Sequence, residues 1–411
     1  MQPPLYAWLH WGTNQIFGEV LASSVAVRAI SHFGIFVGTF ALARWFAPVW
    51  IAGLAALGVF MVPEISQTFL RTRTHNILAT GLAPLMVLTF LMLVARQRTR
   101  DYALFGVAAA LAILAKATVA ILAAGLIVAA LTDRAGRQAL FSRKMLLAVA
   151  LMVLMMAGPA IWLAMNFQLG TASLQKFQPT GERAEGIARF LRSMFDSWGA
   201  VAIFGTLAYV LTRKGEGAER PGASLVWRAG GFAVVLLVAG LLLAGASEVK
   251  ERWLVPILVP IIPVLLVQLM QRKGWARYLP PALAGAYGIA MLLALPAYHR
   301  ERPLPPIAPY AALADALAEI PADLILTSSD TAANMWATRP DRPMRQWVPS
   351  ERIACEGTVM LLVAAPGPAD TATLAAQTAP CTLTSLGTQE VPTSPGGPVY
   401  RAEVLHLISP G

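Results

Sequence analysis

The sequence predicts a mostly α, polytopic membrane helical bundle of about ten spans, followed by a small C-terminal α/β domain outside the membrane. Three observations predict it. Of the 411 residues, 57% are hydrophobic and 13% charged, about half the ~25% charge of an ordinary soluble domain, and the mean hydropathy is +0.60. The apolar residues run in stretches close to the ~20 residues that cross a bilayer. The composition then changes at Pro303, Pro305, Pro306 and Pro309, where fixed φ angles and missing N–H groups disfavour helix.

Spans are predicted at 22–45, 47–63, 75–95, 102–115, 117–132, 145–165, 195–211, 229–246, 253–270 and 278–298. The fourth and fifth are short, and the apolar stretch they share is interrupted at Lys116. Ahead of them, Pro3-Pro4-Leu5-Tyr6-Ala7-Trp8-Leu9-His10-Trp11 is aromatic and suits the membrane surface. The residues before it do not form a basic, cleavable signal peptide.

The loops set the orientation. Arg96, Arg98 and Arg100; Arg134, Arg137, Arg143 and Lys144; Arg213, Lys214, Arg220 and Arg228; and Arg272, Lys273 and Arg277 form basic clusters with few acids, as cytoplasmic loops do. The alternate loops mix charges, with Glu64 beside Arg71 and Arg73, Lys176 beside Glu182 and Arg183, and Glu248 beside Lys250 and Arg252. These are read as extracytoplasmic, and the tail falls on their side. The net charge of +10 is then explained by sidedness and anionic head groups. Nucleic acid is excluded as a partner, since no basic run is interleaved with aromatics.

The chain divides on this reading into a membrane domain at 1–302 and an extracytoplasmic domain at 303–411. Helices are expected at 310–320, 331–338 and 369–377, and strands at 323–328, 358–364 and 398–407, an alternation that suggests α/β. Cys355 and Cys381 both lie in this tail. An oxidising compartment favours a disulfide between them, and two buried thiols are the alternative.

Ionisable groups within or at the ends of spans are costly, and each is a functional hypothesis. Lys116 offers a point charge for a phosphate, or is a snorkelling lysine. Arg252 opens a span beside Trp253 and can fork onto phosphate oxygens, or pair with Glu248 or Glu251. His75, with Arg73 and Arg71 close by, begins a span where a helix N-terminus favours an anion, or is a capping histidine. No metal-ligand spacing, P-loop, GxGxxG or GxSxG motif occurs, so no metal and no cofactor is expected.

Four fragments occur in a set order: Pro3-Pro4-Leu5-Tyr6-Ala7-Trp8-Leu9, Thr74-His75, Asp101-Tyr102 through the Lys116 segment, and Glu251-Arg252-Trp253-Leu254-Val255-Pro256. Together they resemble membrane glycosyltransferases of the GT-C class, near glycosyltransferase family 39, the aminoarabinose transferases and the rhizobial galacturonosyltransferases. The resemblance covers residues 2–300, and weakly 325–342. It implies a sugar passed from a polyprenyl-phosphate donor to a lipid A, glycan or protein acceptor on the outer side of a bacterial inner membrane, with a periplasmic or extracellular C-terminal domain. Lys116 and Arg252 match the family cations expected at the donor phosphate, with His75 and Arg73 nearby.

The family's acidic base precedes the Pro-Pro-Leu motif, in an outer loop that follows a first span. This sequence begins at Met1, so that loop and span are expected to be lacking, through N-terminal truncation. Glu19 and Glu64 are the nearest outer acids. Glu64 is the candidate catalytic base, and a plain loop residue is the other reading of it. Two further functions compete with the transferase. A flippase for lipid-linked saccharides would show internal repeats with broken helices, and a non-catalytic membrane subunit would keep Lys116 and Arg252 by inheritance.

Overall fold

The computed structural model describes residues 3–18, 20–68, 75–167, 183–213, 222–243, 251–301, 324–327, 344–346, 359–364, 382–392 and 399–408. It forms two compact units, Met1–Ala294 and Leu295–Gly411. Glu19, Arg71, Arg73, Lys176, Glu248, Lys250, Cys355 and Cys381 lie outside the described residues, as do the three helices expected in the tail.

The first unit is helical. Its helices are α1 (Leu5–Phe17), α2 (Val20–Phe46), α3 (Val49–Leu57), α4 (His75–Arg96), α5 (Thr99–Ala115), α6 (Val119–Leu131), α7 (Arg134–Leu140), α8 (Met145–Met165), α9 (Arg183–Leu211), α10 (Ala223–Leu243), α11 (Val255–Leu258), α12 (Ile261–Met270) and α13 (Leu279–Glu301), the last running past the unit boundary. Among the described residues, five of them (α2, α4, α8, α9 and α10) are long and apolar enough to cross a membrane, and shorter apolar helices cover 49–61, 119–131 and 261–270. Every predicted span coincides with a helix or a broken helix pair, and the chain is a membrane protein.

The first helix was expected along the membrane surface, and α1 has the composition for it. Trp8, Trp11, Ile16 and Phe17 are exposed while Tyr6 is buried. Gly18 closes it in the left-handed conformation at φ 67°, which glycine adopts without a steric penalty. Its polar face is tied to the start of α2, where His10 and Ser24 share a 2.8 Å hydrogen bond and Ser23 Oγ donates to Asn14 at 3.3 Å. Two helical segments escaped the apolar pattern. The seven-residue α7 is polar, and is started by Asp133, whose carboxylate accepts from the Gly136 N–H at 2.7 Å. The outer turns of α9 are charged, so only its apolar half was predicted.

Two helix crossings depend on glycine. A Cβ on Gly38 would stand 2.3 Å from the Gly81 carbonyl oxygen, and one on Gly81 would stand 2.8 Å from the backbone of Gly34. Backbone-to-backbone contact of this kind lets α2 and α4 pack closely, as small residues do in membranes. The α5–α8 crossing is similar, with Gly106 against the backbone of Ala148.

The basic loops gather at one end of the bundle. Lys144 Nζ donates to the Gln97 carbonyl at 2.8 Å, and Arg228 pairs with Asp133 at 2.9 Å. Arg213 and Lys273 exchange backbone hydrogen bonds, Gln271 donates to the Phe46 carbonyl, and Arg96 lies over the Trp45 ring. The helix ends that bear His75, Lys116 and Arg252 are the opposite ends of α4, of α5 and of the segment leading into α11.

The second unit holds a five-stranded sheet of order β2-β1-β3-β5-β4, from β1 (Leu324–Thr327), β2 (Met344–Gln346), β3 (Val359–Ala364), β4 (Thr382–Pro392) and β5 (Val399–Ile408). β1 lies between β2 and β3 and is parallel to both, while β5 is antiparallel to β3 and β4. Strands 323–328, 358–364 and 398–407 were predicted, and β1, β3 and β5 occupy them. The short β2 and the polar, Thr-rich β4 were missed, because neither carries an apolar run. β4 also shifts register between Ser385 and Gly387, where Gly387 has φ 104°.

Candidate functional site

Lys116 is the centre of the site. α5 and α6 have 17 and 13 residues, or ~25 and ~20 Å at 1.5 Å per residue. Both fall short of the ~30 Å hydrocarbon thickness, and the Lys116–Thr118 turn joins them. The interruption expected at Lys116 is therefore a true break between two helices. Lys116 takes extended backbone angles (φ −161°, ψ 124°) and ends α5.

The side chain is only 6% exposed. Burying an ammonium is costly unless acceptors surround it. One acceptor is the Arg252 carbonyl, which takes a hydrogen bond from Lys116 Nζ at 2.8 Å. The local sequence explains why that carbonyl is available to a side chain. Four residues on stands Pro256, which has no N–H to donate back to it. The Glu251-Arg252-Trp253-Leu254-Val255-Pro256 segment accordingly forms a 3₁₀ turn at Glu251–Trp253 before α11 begins. Two sequence-predicted residues 136 positions apart thus meet, through the backbone of one and the ammonium of the other.

His75 stands at the first residue of α4 and is close enough to Lys116 for the two to interact electrostatically. Its Nδ1 is buried with no hydrogen-bond partner among the described residues. The ring packs against Tyr6 of α1, with centroids 5.1 Å apart and planes tilted by 51°. Tyr6 is itself buried. That burial pushes its hydroxyl pKa up, against the opposing charge of Arg28 on α2. Thr118, in the same turn as Lys116, has a buried hydroxyl without a partner among the described residues.

Glu64 is half-buried and opens a π-helical turn at Glu64–Thr68, which packs on the 3₁₀ turn Gly58–Met61. Such turns are uncommon and cluster at functional sites. Arg73 lies outside the described residues, and Glu19 likewise. Among the described residues, no group of three His, Cys, Asp or Glu could hold a metal ion.

Tyr6 and Arg28 were missed as site candidates. Tyr6 was read only as part of an aromatic surface anchor. Arg28 sits in the middle of an apolar window, and an arginine within a span is itself the signal that would have found it.

The arrangement is one buried lysine beside buried polar atoms that have no hydrogen-bond partner among the described residues. It suits an anionic head group, with Lys116 as the charge and His75, Thr118 and Tyr6 around it. Fixed cations at such a point stabilise a leaving group on which negative charge builds.

Residues 1–162 match the family described as dolichyl-phosphate-mannose-protein mannosyltransferase. Two proteins of Rhizobium johnstonii are similar in sequence. The lipopolysaccharide core galacturonosyltransferase RgtB is 26% identical over 62% of this chain and 54% of its own length. The lipopolysaccharide core galacturonosyltransferase RgtA is 23% identical over 66% of this chain and 56% of its own. The chain spans about half the length of these relatives. In fold it is similar to ArnT from Cupriavidus metallidurans, solved bound to undecaprenyl phosphate and in the apo state. Those matches have TM-scores of 0.55 and 0.54 at 15% identity, covering 100% of this chain and 89% of the other. The resemblance to GT-C membrane glycosyltransferases is borne out in sequence and in fold.

Proposed function

We propose that this protein is an inverting glycosyltransferase that takes a sugar from a polyprenyl-phosphate donor and passes it to an acceptor on the outer side of the bacterial inner membrane. The observation that carries the reading is the buried Lys116 ammonium, hydrogen-bonded to the Arg252 carbonyl with His75 alongside. A recessed cation is what a monophosphate leaving group needs, and the lipid tail of such a donor would run down the apolar helices below it. The names of the sequence relatives make galacturonic acid the first sugar to test and the lipopolysaccharide core the first acceptor. Undecaprenyl phosphate, bound in the ArnT structure, supports the carrier. In this reading Arg252 and Arg73 add to the phosphate charge, Glu64 is the base to test, and the second unit lies in the periplasm.

The test is transfer of labelled galacturonic acid from undecaprenyl phosphate to core-bearing lipopolysaccharide by the purified protein in proteoliposomes. Label in the lipopolysaccharide supports the enzyme. Movement of intact donor across the bilayer without transfer would instead identify a flippase.

Tyr6 offers a subtler check. Aromatic pairs contribute about 0.5–1.5 kcal/mol beyond their buried area, so Tyr6→Ala is expected to lower kcat/KM roughly 3–10-fold by loosening His75. Tyr6→Phe keeps the ring contact and is expected to stay close to wild type. Equal losses in both variants would assign the role to the hydroxyl.

A further inference from the structure

At the end of the bundle away from Lys116, two loops meet. The α4–α5 loop carries Arg98, Arg100 follows in the first turn of α5, and the segment from α7 into α8 carries Arg134, Arg137, Arg143 and Lys144. The Lys144 Nζ hydrogen bond to the Gln97 carbonyl, at 2.8 Å, joins them. Tyr102 adds a second tie, its hydroxyl donating to the Ala139 carbonyl at 3.0 Å. Gln97 takes a left-handed turn at φ 51° to end α4, so the loop is short and its cations stand close to those of its neighbour.

The six cations are exposed, and the acids of these loops offset them only in part. Asp101 is fully buried, 3.9 Å from the Arg100 Nε. Asp133 is occupied by Arg228 and by the Gly136 N–H. Arg137 and Lys144 are steadied by backbone carbonyls, of Leu131 and Gln97, and not by carboxylates. Beside these charges stand apolar side chains with no protein cover: Phe141 is 78% exposed and Leu146 71%. Below them α5 and α8 run together through the Gly106–Ala148 contact.

We propose that this corner binds an anionic phospholipid of the adjacent leaflet. The phosphate would lie among Arg98, Arg100, Arg143 and Lys144, with the acyl chains against Phe141 and Leu146. Two cation pairs on two loops match a head group with two phosphates, so cardiolipin fits better than a single-phosphate lipid. Basic pockets between helices on the cytoplasmic side recognise lipids in this way. The surface differs from the donor site in position, being at the opposite helix ends.

Native mass spectrometry of the full-length protein, titrated with cardiolipin, phosphatidylglycerol or phosphatidylcholine, tests it. Wild type is expected to retain cardiolipin most strongly and phosphatidylcholine least. Arg98→Gln with Arg143→Gln is expected to weaken cardiolipin about 25-fold, roughly fivefold per charge, while Arg192→Gln at the other end changes nothing. The double variant leaves the Lys144–Gln97 bond intact; should it still fail to fold, each single variant is expected to show its fivefold part. Equal retention by wild type and variant, or equal retention of phosphatidylcholine and cardiolipin, would overturn the proposal. So would displacement of cardiolipin by millimolar inorganic phosphate, which would reveal a simple anion site.

Discussion

Lys116→Met is expected to lower kcat/KM for sugar transfer by about 100-fold or more, while costing the fold no more than the about 1–3 kcal/mol of leaving the Arg252 carbonyl without its donor. The two effects separate because they have different physical origins. In the resting protein Lys116 is 6% exposed, and an ion held there has lost part of its hydration. Removing the charge relieves that desolvation, while the Arg252 carbonyl loses the hydrogen bond it accepts, so the two effects on stability oppose each other. In the proposed reaction the same charge would face a phosphate that is gaining negative charge. Removing one preorganised electrostatic partner of that kind costs about 10²–10³ in rate. Methionine keeps the unbranched stem, so the loss is one of charge and not of packing. The measurement is a transfer assay paired with a thermal unfolding curve. A variant that keeps its turnover would remove Lys116 from the site. A variant that loses turnover because most of it no longer folds would make Lys116 a structural lysine that supports the Arg252 turn through its 2.8 Å bond.

Gly81→Leu is expected to destabilise the membrane unit more than any conservative change in its core. The first side-chain carbon alone would stand 2.8 Å from the backbone of Gly34 and 3.0 Å from that of Ile35. Neither atom is the end of a flexible side chain, so relief requires α2 and α4 to move apart. Over-packing a close-packed interior costs about 1–3 kcal/mol, and this substitution belongs at or above the upper end, because backbone must shift. α4 also begins with His75, so separation of the two helices would disturb the site at its outer end. The expected results are a lowered unfolding midpoint, poor recovery from membranes and a fall in transfer. Gly158→Leu is the matched control, since nothing lies within 4 Å of a Cβ there, and it is expected to be tolerated. Equal tolerance of both would mean that α2 and α4 do not pack through these glycines.

Much of the membrane unit was legible because a span is a one-dimensional property. The run from His75 to Arg96 announces a helix by its length and apolarity alone. The stretch around Lys116 could be read as interrupted for the same reason. α7 and the outer turns of α9 were not legible, since each is polar and owes its helix to capping or to neighbours. In the second unit β3 and β5 carry apolar runs and were found. β4 is strand by virtue of pairing with β5 along its length, which composition does not report.

The site was legible in its residues but not in its arrangement. Lys116 and Arg252 could each be singled out as charges at the edges of apolar stretches. That they meet through the Arg252 carbonyl depends on Pro256 withholding an N–H and on α11 lying beside α4 and α6. The contact of Tyr6 with His75 likewise depends on α1 being fastened to α2 by His10 and Asn14.

The amino-acid sequence by itself determined that this is a multi-span membrane protein with basic loops at one end and a separate C-terminal unit with strands, and its motif order resembles that of GT-C glycosyltransferases. Hydrophobic length, charge asymmetry and motif order are local quantities, and they survive without a fold. The tertiary structure alone decided that Lys116 is buried against the Arg252 carbonyl, that His75 lies near it and packs on Tyr6, and that the basic loops meet at the other end of the bundle. Those facts depend on which helices touch, and helix contacts are set by close packing at glycines such as Gly81 and Gly106, where the chain's own pattern of apolar residues is silent.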